Sequence, residues 1–152
     1  MVSPARNPKK PPKNASFKEY IEYYLKIKGW SQSRLAECAR LNQSQLNKII
    51  NERVNNVSVD VLVCLCLALQ LTVPQSKDLM ARAQRTFSPA LPKHDAYQKL
   101  IALYATMDFS GEEARNILIH ADEYLQKRNF PPLSKHAWSN ASKMCRWTVQ
   151  CI

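Results

Sequence analysis

The sequence predicts an all-α fold, and three observations carry that expectation. Only two glycines, Gly29 and Gly111, occur in 152 residues, whereas sheets joined by tight turns need many residues that accept positive φ. Alternating runs rich in Val and Thr are few, so the period-2 signature of half-buried strands is missing. Apolar residues instead recur at helical spacing in successive segments, each opened by a capping residue. With 45% hydrophobic residues the chain has enough apolar surface to bury a core.

Residues 1–15 are rich in proline and lysine and have nothing to bury, so they are expected to be a disordered basic arm. Order begins at Ser16. Ser16-Phe17-Lys18-Glu19 has the spacing of a capping box, and Phe17, Ile21, Tyr24 and Leu25 form the stripe of a first helix that Gly29 can stop. A second helix follows Ser31, with Leu35, Ala36 and Ala39 inward. Asn42 caps a third, predicted over 43–52 and burying Leu46, Ile49 and Ile50. Ser58 caps a fourth over 59–71, apolar at nearly every position and therefore central. Pro74 suits the first turn of a fifth, which turns Leu79, Met80 and Ala83 inward.

Ser88-Pro89-Ala90-Leu91-Pro92 marks a break, dividing a module at 16–88 from a helical extension at 89–133. Beyond it Tyr97, Leu100, Ile101 and Tyr104 define a sixth helix. Ser110 and Glu113 have capping-box spacing for a seventh, with Ala114, Ile117, Leu118, Ala121 and Leu125 on one face, ended by Pro131-Pro132. Residues 134–152 contain two tryptophans but no period, and are expected to be loosely attached or disordered.

Lys and Arg number 22 against 12 acids, a formal charge of +10. Residues 1–60 carry eleven bases and five acids (+6), and residues 61–152 eleven and seven (+4). A basic excess attracts polyanions; a merely soluble basic protein has the same composition. The five cysteines form no CxxC pair, so reduced and mostly buried thiols are expected in a cytoplasmic protein. His94, His120 and His136 are scattered without partners at metal-ligand spacing, and no Walker loop, GxSxG, GxGxxG or HExxH occurs. The expectation is no metal, no cofactor and no catalysis. The longest apolar run, 61–69, is far short of the roughly 20 residues that cross a bilayer.

Short helix, tight turn, short helix, then an apolar helix is a known outline for presenting a helix to DNA. The segment from Gln32 to Ile49 resembles the helix-turn-helix of the phage-repressor and Cro-like (XRE) family. Gln32 opens the first helix, Leu35-Ala36 follow at the family's spacing, Leu41 lies in the turn, and Leu46 and Ile49 lie on the second helix. The likeness covers roughly 17–86. It implies a five-helix repressor-like domain followed by two or three further helices. Residues 91–133 look like the extension of some Firmicute and mobile-element regulators of this family. Where the family commonly has glycine in the turn, this chain has Arg40.

At about 100° per residue, burying Leu46, Ile49 and Ile50 places Ser44, Asn47, Lys48 and Asn51 on the opposite side of the third helix, with Gln43 nearer the flank in its first turn. These amide, hydroxyl and amine groups suit base edges: Gln43 and Asn47 match adenine, Lys48 matches guanine, and Ser44 adapts to either. By resemblance Gln32, Asn42, Gln45, Asn51 and Arg53 hold the DNA backbone, with Arg34 and Arg40 as helpers. The implied function is a sequence-specific double-stranded-DNA regulator, a repressor, acting as a homodimer. The alternative is an antitoxin or anti-repressor module, on the same fold, that binds protein. The C-terminal helices offer apolar stripes for self-association, for a protein partner, or for buttressing the first module.

Overall fold

A computed structural model describes residues 9–51, 57–109 and 111–133. Helix α1 is Phe17–Lys28, α2 Gln32–Ala39, α3 Gln43–Ile50, α4 Val59–Ala68, α5 Val73–Arg82, α6 Pro92–Tyr104 and α7 Ile117–Lys127, with a 3-10 helix at Gly111–Asn116. Among the described residues the fold is all-α.

Local chemistry sets the helix starts. Ser16 Oγ accepts from the Glu19 amide at 3.2 Å while the Glu19 carboxylate accepts from the Ser16 amide at 3.0 Å, the reciprocal pair of a capping box. Ser31, Asn42 and Ser58 each accept from amides in the first turn of α2, α3 and α4. A further capping box, Thr72 with Gln75, opens α5. Its Thr-x-x-Gln spacing is a sequence signal that the proline at position 74 overshadowed. Gly29 ends α1 at φ 69°, a left-handed conformation that costs glycine nothing.

Arg40 ends α2 in the same conformation, at φ 59°, where a Cβ costs about 1 kcal/mol. Its Nη2 donates a long 3.4 Å bond to the Arg115 carbonyl, and its buried Nε has no hydrogen-bond partner among the described residues. Arg40→Gly is therefore expected to stabilise the fold by roughly 0.5–1 kcal/mol, read as a higher urea midpoint. A lower midpoint would mean that the bond to Arg115 outweighs the strain.

Helix α4 is the centre of the molecule. Every residue from 61 to 69 is buried, and the helix packs against α2, α5, α6 and α7, while α1 lies on α3 and α5. It ends at Ala68 rather than continuing to 71. Gln70 adopts φ 55° and sends its amide across to the carbonyls of Tyr104 and Met107 at 2.9 and 2.7 Å, with Lys28 Nζ on its oxygen at 3.3 Å. This tertiary knot outcompetes a further helical turn. Cys38, Cys64 and Cys66 are free and buried, and burial raises all three thiols above their usual pKa.

The extension does not stand apart. Tyr97, Leu100, Ile101, Ile117, Leu118, Ala121 and Leu125 are buried in one cluster with the α1–α5 core, so its apolar stripe buttresses the first module. Asp60 at the start of α4 accepts from the Tyr97 hydroxyl at 2.9 Å. At the 88–92 break, the Ser88 amide donates to His94 Nδ1 at 2.8 Å. That bond needs a neutral imidazole, and burial lowers the His94 pKa accordingly.

Two expectations need correction. Residues 9–15 are not a free arm: the Tyr20 hydroxyl donates to the Pro11 carbonyl at 3.0 Å, and Arg82 donates to the carbonyls of Lys13 and Ala15. Arg82 is itself fixed, 3.8 Å over the Tyr20 ring and 2.9 Å from Asp78, so it clamps the segment. The predicted Ser110–Glu113 capping box is not the start of α7. Glu113 lies within the 3-10 helix, and α7 begins after Asn116 without a side-chain cap; Ser110 lies outside the described residues. The same is true of residues 1–8 and of the 134–152 tail, with Cys145 and Cys151.

Candidate nucleic-acid interface

Helices α2 and α3 meet through a turn at 40–42, and both N-termini are built to face outward. The Asn42 side-chain oxygen accepts from the amides of Ser44 and Gln45 at 2.8 and 3.3 Å, so the first turn of α3 is rigidly started. Neither α2 nor α3 has an acid in its first turn, whereas α1, α4 and α6 do. An acid there would screen the positive end of the helix dipole; without one, the dipole and the first-turn amides not taken by the Ser31 and Asn42 caps stay available to an anion.

Burial of Leu46, Ile49 and Ile50 fixes the rotation of α3 against α1 and α2. Gln43, Ser44, Asn47 and Lys48 are all exposed, and Lys48 has no ion pair among the described residues. An exposed ridge of two amides, a hydroxyl and an ammonium on a helix of this length fits the width of a major groove.

The residues expected at the DNA backbone separate into groups. Gln32 is the first residue of α2, half-buried, and Gln45 lies half-buried on the flank of α3. Asn42 is exposed, but its oxygen is committed to the helix cap. Asn51 donates its side-chain amide to the Asn47 carbonyl at 2.9 Å, closing the end of α3, so a phosphate contact would compete with that bond. Arg53 lies outside the described residues.

Arg34 and Arg40 are turned elsewhere. Arg34 Nη2 donates to the Gly111 carbonyl at 2.6 Å, with its guanidinium 5.6 Å from the Trp30 ring centre and 3.4 Å from Glu37. Arg40 reaches the Arg115 carbonyl. Both arginines hold the 3-10 helix against α2.

That docking brings forward a residue the sequence reading passed over. Arg115 lines an open cleft of about 550 Å³ together with Ser31, Ser33, Arg34, Glu37 and Gln43, directly between the two outward N-termini. No local pattern announces Arg115, because its place depends on contacts with residues about 75 positions away.

Residues 21–82, from the first turns of α1 to the end of α5, match the family model of the Cro/C1-type helix-turn-helix DNA-binding domain. No curated protein and no solved structure matches the chain. No helix among the described residues is long and apolar enough to cross a membrane.

Proposed function

With residues 21–82 forming a Cro/C1-type helix-turn-helix DNA-binding domain, we propose that this chain is a sequence-specific transcriptional regulator, a cytoplasmic repressor without catalytic activity. Helix α3 enters the major groove of double-stranded DNA, and Gln43, Ser44, Asn47 and Lys48 contact base edges. The observation that carries this proposal is the division of α3 into a wholly buried apolar side and a wholly exposed polar ridge. A protein-interaction module of the antitoxin or anti-repressor kind would call for apolar groups on that ridge instead.

Backbone contacts come from Gln32, Asn42, Gln45, Asn51 and Arg53, around the starts of α2 and α3 and the end of α3. They position the helix without specifying sequence. Two copies on a pseudo-palindrome, with half-sites about one helical turn apart, complete the proposal.

Selection of bound duplexes from a random pool by the full chain tests it. The expected result is enrichment of one motif with two-fold symmetry. Capture of all duplexes alike, with no enriched motif, would overturn it.

A further inference from the structure

The contacts that seat the 3-10 helix on α2 redistribute the arginines at the proposed DNA-facing edge. Arg34 and Arg40 of α2 donate to the Gly111 and Arg115 carbonyls, which draws their guanidiniums onto the extension. The extension in turn presents Arg115. Its Nη2 is 3.1 Å from Glu37, and its side chain, 46% exposed, lines the cleft beside Ser31, Ser33 and Gln43. We infer that Arg115 is a DNA phosphate-binding residue, so that the interface extends beyond the 21–82 domain onto the extension. This rests on α3 being the groove helix.

Position is the first support. Ser31 caps α2 and Gln43 is the first residue of α3. A duplex holding α3 in its major groove runs its backbone past these N-termini. The open cleft between them is where a phosphate would come closest to Arg115.

Charge is the second. Glu37 lines the same cleft, and a bare carboxylate there would repel phosphate. Arg34 and Arg115 flank it at 3.4 and 3.1 Å, so Glu37 is neutralised rather than presented bare to a phosphate. Glu112 also approaches Arg115 at 3.4 Å, but its side chain is 83% exposed, and such a pair is weak.

Donor capacity is the third. A guanidinium has five N–H donors in a planar fork. Nε faces Glu112 and Nη2 faces Glu37, which leaves further donors for phosphate oxygens.

The test measures the full chain on the duplex enriched by selection and on a scrambled duplex of equal length, following affinity against salt from 50 to 200 mM. Arg115→Ala is expected to make the log–log slope shallower by about 0.9 on both duplexes, so that the affinity lost across that range shrinks by about 3.5-fold. Arg115→Lys is expected to keep the wild-type slope, because the charge is retained. Sequence preference should be unchanged in both variants. A weaker Arg115→Ala with an unaltered slope would assign Arg115 a purely structural role and overturn the inference alone. Failure of the wild-type chain to bind either duplex would overturn the DNA proposal as well.

Discussion

Leu65→Ala is expected to destabilise the fold by about 3–5 kcal/mol, the range for deleting a fully buried leucine from a site that cannot collapse. Leu65 has no solvent exposure and lies midway along α4, where every residue from 61 to 69 is buried. The helix is surrounded by α2, α5, α6 and α7, so no free edge can move inward to fill the void. Small domains have only about 5–15 kcal/mol of stability in total, and the variant should lie close to its unfolding threshold. Urea denaturation followed by far-UV circular dichroism reads the effect as a large drop in midpoint. The transition should remain single, because the extension and the helix-turn-helix share one apolar cluster. Truncating Lys99, whose pair with Asp95 is two-thirds exposed at both ends, should cost under about 0.5 kcal/mol. A Leu65→Ala loss as small as that would mean α4 is not the centre of the core.

Features that depend on near neighbours in the chain are legible in the sequence itself. The caps at Ser16, Ser31, Asn42 and Ser58 each place an oxygen within reach of amides two or three residues on, and the apolar spacing around Leu35, Leu46 and Leu79 follows from helical period alone. The irregular point at Arg40 was legible too, since the chain has Arg40 where the resembling family commonly has glycine, and the turn is left-handed there. What escaped depends on distant partners. Gln70 ends α4 because Tyr104 and Met107 supply carbonyls from α6 and the segment after it. The segment before α7 is a 3-10 helix, and α2 holds it through Arg34 and Arg40. Those two arginines were expected as helpers at the DNA backbone; their carbonyl partners on the 3-10 helix escaped because a one-dimensional pattern shows a charge without its neighbour. Residues 9–15 looked unstructured by composition, yet Arg82 and Tyr20 supply the hydrogen bonds that composition could not reveal.

The largest functional effect is expected from the double variant Gln43→Ala, Lys48→Ala. Each side chain is exposed on the polar ridge of α3, and each truncation is expected to remove about 1–3 kcal/mol of discrimination at one base pair. The positions are five residues apart, about 7.5 Å along the helix axis, and address different base pairs, so the losses should add approximately. A combined loss of roughly 2–6 kcal/mol takes away much of the 4–10 kcal/mol that separates specific from non-specific sites. Competition between the selected duplex and duplexes altered at single positions measures this directly. Gln43→Ala should flatten the preference at one position with no change in salt slope, because an amide displaces no counterion. Lys48→Ala should flatten a second position and also make the slope shallower. The fold itself should be unaffected, since neither side chain contributes to the buried core. If Lys48→Ala weakens every duplex equally and leaves the preferences intact, Lys48 grips phosphate. The reading edge of α3 would then centre on Gln43, Ser44 and Asn47, the three remaining exposed polar groups of the ridge.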